Sequence, residues 1–487
     1  MGCGLPLKRS HSVPQLNFRL KTREITITPG TFVRFSPFSK LKDYEQAKKI
    51  GSGTFSDVVL CEHHPTQAKR ALKIVHKAGL TYHQKDNVHL LKEIHILKLL
   101  DHPNILKCFE VFEDELKYYV AMEYCPGGDL FKQILNMQVF TESQAANIIF
   151  QTLSALSYCH EKKVIHRDIK PENILVLESS NTLSIKLGDF GSSCIMDSLT
   201  PIKGCFGSSY YLAPEVLKST YTEKCDIWSV GIIMYILLTG NPPYKGRDSK
   251  TIIREVKDSP FMLTDDKVTG LSPDSINLLQ KLLVLDPEQR VSAAAAVQHP
   301  WINNHRNYKG DSMKIALNNL RQFNNQSRLK EAVQIFLASQ IVSNEELKEI
   351  RKNFQMMDKD GNGKITKDEL LQEYRKVMEF SKAEQTVDRI ILQLDQDGDG
   401  NIDYTEFLVS CGKNLQKISQ DNLLIAFNLF DTDCNGFITS DELKEVLENG
   451  QMTDEDVWKE LLKEADTNND GQIDLKEFIT FMSKITL

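Results

Sequence analysis

The stretch HRDIKPEN, residues 166–173, decides the fold class of this 487-residue chain. It brings the carboxylate of Asp168, the ammonium of Lys170 and the amide of Asn173 close together, and a second carboxylate follows at Asp189 in the triplet DFG. Such a set suits phosphoryl transfer, because negative charge spread over oxygens in the transition state is stabilised by positioned cations. Asp168 would accept or orient the proton of a hydroxyl, and Lys170 would lie near the transferred phosphate. Asn173 and Asp189 would hold Mg²⁺.

A glycine-rich run, GSGTFSDV at residues 51–58, precedes this stretch. Glycines in such a run let backbone amides approach the phosphates of ATP, although Ser56 stands where a third glycine is usual. Alone, the run indicates no more than a β-turn in a strand hairpin. The residues of this run expected to contact ATP are Gly51, Ser52, Gly53 and Val58.

Lys73 follows on an apolar strand, directly after Leu72 and after Ala71, which is also expected to line the ATP site. Glu93 comes 20 residues later, within the helical pattern LLKEIHILKLL. A lysine that holds the α- and β-phosphates needs an acidic partner, and Glu93 is the natural one. Without the other motifs, Lys73 would be read as an edge charge and Glu93 as a solvated helix residue.

Taken in order, these motifs and the triplet APE at residues 213–215 resemble the eukaryotic protein kinase domain over residues 44–301. Lys170 is typical of the Ser/Thr type of catalytic loop. The resemblance implies an α+β bilobal fold, with Arg290 as the partner of Glu215.

The same resemblance implies the residues that would hold adenine and the protein substrate. It places Met122, Glu123 and Tyr124 at the hinge, with Met122 behind the adenine as gatekeeper. Asp129 and Glu172 match positions that receive a substrate arginine in kinases that prefer basic sequences, and an Arg–carboxylate contact is strong and directional.

The net charge of −7 hides an asymmetry between the two ends of the chain. Residues 341–487 hold 17 Lys and Arg against 32 Asp and Glu, a net charge of −15, whereas the remainder carries +8. The acids recur in four segments: loop 1 (358–369), loop 2 (395–406), loop 3 (431–442) and loop 4 (466–477), whose starts are 37, 36 and 35 residues apart. A repeat this regular argues against a chance acidic turn.

Each loop has the spacing that calcium requires. Ca²⁺ takes six to eight oxygens at ~2.3–2.6 Å, supplied by positions 1, 3, 5, 7, 9 and 12, with glycine at position 6 for the turn. Position 7 contributes its carbonyl, so its side chain varies. The expected ligands are Asp358, Asp360, Asn362, Lys364, Thr366 and Glu369 in loop 1; Asp395, Asp397, Asp399, Asn401, Asp403 and Glu406 in loop 2; Asp431, Asp433, Asn435, Phe437, Thr439 and Glu442 in loop 3; and Asp466, Asn468, Asp470, Gln472, Asp474 and Glu477 in loop 4.

Position 8 is isoleucine in every loop, namely Ile365, Ile402, Ile438 and Ile473. An apolar β-branched residue inside a polar loop predicts a short strand that pairs with a neighbouring loop, so the four sites should form two pairs. In number and order the loops resemble calmodulin, which implies an all-α EF-hand domain over residues 341–487. A kinase domain followed by such a domain resembles the calcium-dependent protein kinases of plants and protists, which implies a calcium-activated Ser/Thr kinase that uses ATP, Mg²⁺ and four Ca²⁺ ions on protein substrates.

Residues 302–340 join the two parts and form a junction with basic and apolar residues at helical spacing, among them Leu320, Phe323 and Phe336. A basic amphipathic helix is what calcium-opened EF-hands grip, and an ordinary packing linker is the alternative. The family resemblance implies that the junction inhibits the kinase until calcium lets the EF-hand domain remove it.

Residues 1–40 are rich in Ser, Pro, Lys and Arg, which predicts a flexible extension. Gly2 could be myristoylated and Cys3 palmitoylated, giving membrane association. The acylation pattern has Pro6 where Ser or Thr is expected, so a plain flexible arm stays open.

The rest of the composition excludes several classes of protein. The chain has no run of 18 apolar residues, and its most apolar stretch, 230–238, predicts a buried helix. Ten cysteines without a C-x-x-C pair argue against a zinc site and indicate the reducing cytoplasm. We expect a monomer with no nucleic-acid partner.

Two rival functions are a calcium-binding scaffold with an inactive kinase domain and a constitutive kinase whose EF-hands only buffer calcium. The first would predict the loss of Lys73, Asp168 or Asp189, and all three are present.

Overall fold

The computed structural model describes most of the chain. The described residues are 27–53, 56–77, 88–137, 139–178, 183–196, 207–218, 220–246, 248–258, 261, 263–264, 268–306, 312–322, 327–340, 344–395, 397–411, 419–448 and 455–483. The predicted acylation sites Gly2 and Cys3 lie outside these residues, as does Phe323 of the junction.

The amino-terminal lobe is built on a six-stranded sheet in the order β1-β5-β6-β4-β3-β2. Its elements are β1 (Arg34–Phe35), β2 (Tyr44–Ser52), β3 (Ser56–His63), β4 (Ala68–His76), helix α1 (Val88–Leu99), β5 (Cys108–Glu113) and β6 (Lys117–Glu123). Apolar residues of β4, β5 and β6 form small clusters on both faces of the sheet, and one of these clusters includes Leu90 and Ile94 of α1. The sheet and α1 together form the roof of a cleft.

The carboxy-terminal lobe is mainly helical. Its helices are α2 (Leu130–Met137), α3 (Glu142–Glu161), α4 (Lys224–Thr239), α5 (Ser249–Asp258), α6 (Pro273–Leu282), α7 (Ala293–Val297) and α8 (Pro300–His305). Its short strands are β7 (Val164–Ile165), β8 (Ile174–Glu178), β9 (Ser184–Leu187) and β10 (Cys194–Ile195). Helix α3 begins at a capping box, in which the hydroxyl of Thr141 accepts from the Gln144 amide and the Gln144 side chain accepts in return. The buried helix expected at 230–238 is confirmed within α4, which is almost entirely buried and ends at Gly240 with φ +68°.

The remaining elements form the junction and the EF-hand domain. They are α9 (Ser312–Gln322), α10 (Arg328–Gln340), α11 (Asn344–Met357), β11 (Lys364–Thr366), α12 (Lys367–Tyr374), α13 (Phe380–Leu394), β12 (Asn401–Asp403), α14 (Tyr404–Cys411), α15 (Gln420–Phe430), β13 (Phe437–Ile438), α16 (Ser440–Leu447), α17 (Glu455–Leu462), β14 (Ile473–Asp474) and α18 (Leu475–Ser483). The predicted loop pairing is confirmed: Ile365 lies opposite Ile402, and Ile438 lies opposite Ile473.

The junction is buried in the EF-hand domain. Helix α10 is buried on nearly all sides, and its residues share one apolar cluster with those of both loop pairs. Leu320 of α9 is fully buried in the same cluster. The described part of the junction therefore contains two helices, and its apolar residues pack against EF-hand residues.

The extension ahead of the kinase domain differs from the flexible segment expected for residues 1–40. From Ile27 onward it is folded: a 3₁₀ turn spans Pro29–Phe32, and β1 pairs in parallel with β5. Ile27 and Phe32 are buried, and the Phe32 ring lies 5.5 Å from that of Phe336 on α10. These apolar side chains find their partners some 300 residues away in the sequence, so local composition could not reveal the order.

The EF-hand domain also contacts the kinase domain directly. The Gln355 amide donates to Asn104 (2.9 Å), the Arg351 guanidinium donates to Ser184 (2.7 Å), and the Thr405 amide donates to Asp101 (3.0 Å). Arg306, just after α8, donates to the Gln355 carbonyl at 2.7 Å. The first loop pair is thus attached to the helical lobe and to the segment between α1 and β5.

Among the described residues, no helix combines the length and the apolar character that a membrane-spanning helix needs.

Candidate active site and calcium loops

A cleft of about 680 Å³ lies between the two lobes. Fourteen of the residues predicted from the sequence line it together: Gly51, Ser52, Gly53, Val58, Ala71, Lys73, Glu93, Met122, Glu123, Tyr124, Asp129, Glu172, Asn173 and Asp189. Ile50, Cys125 and Leu175 line it as well and were missed. Leu175 stands two residues after Asn173, and Cys125 directly follows Tyr124. Their position beside recognised motifs was the only sequence feature that could have pointed to them.

Lys73, Glu93 and Asp189 form one charged group inside the cleft. The Lys73 ammonium lies 3.0 Å from Glu93 Oε1 and 3.6 Å from Asp189 Oδ1. Burial works against its charge, but attraction to Glu93 and Asp189 leaves the pKa of Lys73 raised above its ordinary value. Despite burial, the pKa of Asp189 is lowered, chiefly by the Lys73 charge. Both groups therefore stay ionised at neutral pH.

Asp168, Lys170 and Asn173 meet through hydrogen bonds. The Lys170 ammonium donates to Asp168 Oδ2 at 2.6 Å and to the Ser208 hydroxyl at 3.1 Å, and that hydroxyl donates to Asp168 Oδ1 at 3.1 Å. The Asn173 amide nitrogen donates to the Asp168 carbonyl at 2.8 Å, which turns its oxygen, the atom that binds metals, the other way. Ser208 was not predicted from the sequence, since it stands 40 residues from Asp168.

Two buried carboxylates, Asp226 and Glu215, hold this arrangement in place. Asp226 accepts from the amides of His166 (3.0 Å) and Arg167 (2.8 Å), which fixes the start of the stretch 166–173. The pairing expected for Glu215 and Arg290 is confirmed, with both carboxylate oxygens engaged at 2.5 and 3.1 Å.

At the hinge, Met122 lies opposite Ala71 in the pairing of β4 with β6. Its side chain is buried at the back of the cleft. The Glu123 carboxylate, in contrast, pairs with the buried ammonium of Lys186 at 2.9 Å. Burial lowers the pKa of Lys186 to about 8, and Glu123 limits this fall.

Asp129 and Glu172 lie at the mouth of the cleft. Glu172 is exposed, and Asp129 pairs with the exposed ammonium of Lys132 at 2.9 Å. An exposed ion pair of this kind contributes only ~0–1 kcal/mol to stability, so a cation that binds the Asp129 carboxylate more strongly can displace Lys132 from it.

The four acidic loops share one backbone geometry. Glycine at position 6 has φ between +83° and +90° in all four, a region that other residues rarely adopt. Its amide donates to the carboxylate at position 1 at 2.9–3.0 Å in each loop. Carboxylate oxygens of positions 1, 3 and 12 in loops 1 and 3, and of positions 1, 3 and 5 in loop 2, lie within 4.8 Å of one another.

The charges of these loops fit a cation. Burial and the neighbouring Glu369 raise the pKa of Asp358 well above its ordinary value, and burial with the nearby Asp101 raises the pKa of Asp403 to about 7. Oδ1 of Asp403 is buried without a hydrogen-bond partner among the described residues. These carboxylates are clustered at EF-hand spacing, and not all of their oxygens accept hydrogen bonds from the described residues. They are oxygen ligands of the kind that Ca²⁺ binds.

Gly361 and Gly363 of loop 1 have a second role that the sequence did not reveal. A Cβ atom on Gly361 would lie 2.6 Å from Val297, and one on Gly363 would lie 2.5 Å from His102. Both glycines therefore also allow loop 1 to approach the kinase domain.

A two-lobed fold with this cleft defines the protein as a protein kinase, and comparison with known proteins agrees. Residues 44–302 match the protein kinase domain family, and residues 347–409 and 420–483 match the EF-hand domain pair.

Similar proteins with both parts identify the group more narrowly. Calcium-dependent protein kinase 4 of Plasmodium berghei is 35% identical over 98% of this chain and 93% of its own length. Calcium-dependent protein kinase 4 of Plasmodium falciparum is 37% identical (94% and 90%), and calcium-dependent protein kinase 9 of Arabidopsis thaliana is 34% identical (98% and 87%). The chain belongs to the calcium-dependent protein kinase family. It is a calcium-activated Ser/Thr kinase that uses ATP, Mg²⁺ and Ca²⁺.

Proposed function

We propose that the EF-hand domain controls the kinase by competing for the junction, and that its four loops each bind calcium. The observation that carries this proposal is the burial of α10 among residues of both loop pairs. The EF-hand domain encloses a helix that has apolar and basic residues. EF-hand calcium sensors bind their target helices in the same way.

The proposed switch depends on a difference in affinity. Calcium can shift the balance only if the loops bind it more tightly when the junction is held by the EF-hand domain than when it lies on the kinase. By linkage, the junction then raises the calcium affinity of the loops. When bound, calcium would supply positive charge that neutralises the clustered carboxylates.

Within the kinase domain we assign roles to the residues of the cleft. Asp168 accepts or orients the proton of the substrate hydroxyl, and Lys170, held between Asp168 and Ser208, lies beside the transferred phosphate. Lys73 holds the α- and β-phosphates and is kept in place by Glu93. Asn173 and Asp189 would hold Mg²⁺, which neutralises the phosphates.

The calcium loops can be tested by removing the last ligand of each. A chain carrying Glu→Gln at Glu369, Glu406, Glu442 and Glu477 should remain inactive at any calcium concentration. It should still bind ATP, because the cleft is lined by kinase residues. Phosphate incorporation into a basic peptide measures the activity, and full calcium-dependent activity in this variant would contradict the proposal.

The substrate class follows from the mouth of the cleft. Asp129 and Glu172 place two carboxylates there, so substrates with Arg or Lys a few residues before the target Ser or Thr should be preferred. A peptide array should show this preference, and Asp129→Asn with Glu172→Gln should weaken it. A preference for acidic or proline-directed sites would contradict the assignment.

A second mode of control, bracing, is favoured by one set of contacts. Arg70 of β4 donates to Gln340, the last residue of α10, at 2.9 Å, while α11 contacts the helical lobe through Arg351 and Gln355. The junction and the EF-hand domain together thus contact both lobes, an arrangement that can support the active kinase instead of releasing a block. Removal of the junction separates the two modes, because release predicts activity and bracing predicts its loss.

A further inference from the structure

A lysine of one calcium loop reaches the ligands of its neighbour. Strands β11 and β12 pair in antiparallel register, which sets Lys364 opposite Asp403. Lys364 is position 7 of loop 1 and Asp403 is position 9 of loop 2. Only the carbonyl of position 7 is needed for calcium in its own loop, so the side chain is free to act elsewhere.

The Lys364 ammonium contacts two carboxylates of loop 2. It forms a close ion pair with Asp399 Oδ2 and lies 3.7 Å from Asp403 Oδ1. Its side chain is 10% exposed, so the contact is poorly screened by solvent and salt. Asp399 and Asp403 are positions 5 and 9 of loop 2, two of its expected ligands.

Loop 2 is also the loop with the most negative charge. Its ligand positions hold five carboxylates, Asp395, Asp397, Asp399, Asp403 and Glu406. From charge alone, loop 2 should bind calcium most tightly, because affinity rises with the number of charged ligands. Three charged residues of the kinase domain, Lys98, Asp101 and Lys162, also line the cavity beside Asp403 and together add a net charge of +1.

The second loop pair provides an internal comparison. There the same register sets Phe437, position 7 of loop 3, opposite Asp474, position 9 of loop 4. Phe437 is 40% exposed and has no charge. Loop 4 therefore receives no cation from the corresponding position of its partner.

We propose that Lys364 is a tethered cation that lowers the calcium affinity of loop 2. Its ammonium competes with calcium for Asp399 and Asp403 and offsets one of the five negative charges. Half-saturation of loop 2 therefore requires a higher calcium concentration than it would with the loop's own ligands alone. This inference rests on the proposal that loop 2 is a calcium site. Because Lys364 also belongs to loop 1, it makes the two sites interdependent.

The test isolates loop 2 in the full-length chain. Glu369→Gln, Glu442→Gln and Glu477→Gln together give a parent in which loop 2 alone keeps its final ligand, and calorimetric titration with calcium reports its affinity. Adding Lys364→Met should tighten calcium binding about tenfold. Lys367→Met is the matched control, because Lys367 is an exposed lysine of the same loop pair that contacts Asp388 instead, and it should change affinity far less. Equal or weaker binding in the Lys364→Met chain would overturn the proposal.

The converse substitution, which adds a lysine instead of removing one, tests the proposal without depending on the folding of the Lys364→Met chain. In a chain with Glu369→Gln, Glu406→Gln and Glu442→Gln, which keeps the final ligand of loop 4 alone, Phe437→Lys should weaken calcium binding by a similar factor. Unchanged affinity there would contradict the mechanism even if Lys364→Met failed to fold. A parent chain that binds no calcium at loop 2 would count against the four-site proposal, and the loop 4 comparison would then decide the role of the lysine.

Discussion

Asp189 has a left-handed backbone, φ +58°, and its carboxylate faces the cleft, 3.6 Å from the Lys73 ammonium. Asp189→Asn removes the charge that would hold Mg²⁺, while Lys73→Met and Asp168→Asn remove the phosphate contact and the hydroxyl partner. Each should lower turnover by about a hundredfold or more. Calcium titration should be unchanged, since these residues belong to the kinase domain and supply no ligand to the loops. Near-normal turnover in Asp189→Asn would contradict the metal assignment.

The size of Met122 predicts a pattern of inhibition. A long side chain opposite Ala71 closes the rear of the cleft, so purine analogues with bulky aromatic groups should inhibit poorly. Met122→Gly should open that space and lower the inhibitory concentration by about tenfold or more. Dose–response curves on both forms provide the measurement, and equal potency would contradict the placement of Met122.

His102 should make stability depend on pH. Burial, with the nearby Lys186 charge, lowers the pKa of His102 to about 3, from an ordinary value of about 6.5. Between these values the unfolded chain binds the additional proton, so stability is complete above pH 6.5 and falls as the pH drops below it. The loss at pH 5 is about 2 kcal/mol.

Melting temperatures of His102→Asn and the parent, measured from pH 7 to pH 5, check this expectation. The variant should start lower, because the ring accepts from the Asn104 amide at 3.0 Å, but it should lose less on acidification. His64→Asn, at an exposed histidine, should follow the parent. Parallel curves for His102→Asn and the parent would contradict the assignment.

At the scale of single elements, the junction helix α10 offers the sharpest test. Val333 is fully buried in the apolar cluster of the EF-hand domain, so Val333→Asp would bury a charge among apolar side chains and should expel the helix. Loss of the helix should raise the calcium concentration needed for half-saturation, by linkage. Lys314→Asp, on the exposed face of α9, is the control and should have little effect. An unchanged calcium titration in Val333→Asp would show that the junction is not energetically coupled to the loops.

How far the elements could be predicted depended on where their partners lie. The calcium loops could be predicted because their ligands fall within 12 consecutive residues. The pairing of Ile365 with Ile402 followed from one repeated position. The cleft residues came from motifs whose order is fixed by the chemistry of phosphoryl transfer.

The features that escaped prediction depend on distant contacts. Phe32 is ordered by Phe336, and Gln340 is held by Arg70, so neither could be inferred from neighbouring residues. The reach of Lys364 into loop 2 is visible only once the strand register is known. Gly363 of loop 1 was correctly read as a turn residue, but its packing against His102, and that of Gly361 against Val297, required the fold.

At the scale of the whole molecule, the junction connects two cores. Its helices belong to the apolar cluster of the EF-hand domain, while Gln340 contacts the sheet of the amino-terminal lobe. We propose that the junction holds the kinase inactive until the EF-hand domain takes it up. The same contacts also suit bracing, so the sign of the effect has to be measured.

The most direct measurement compares the full chain with a chain ending at His305, which lacks the junction and the EF-hand domain. Phosphate incorporation into a basic peptide is followed for both, with calcium and with a chelator, and nucleotide binding confirms that the shortened chain is folded. If the junction is an inhibitor, the shortened kinase is active and indifferent to calcium, whereas the full chain is active only with calcium. A shortened kinase that folds and binds ATP but transfers no phosphate would contradict inhibition by the junction, because the EF-hand domain would then activate by support.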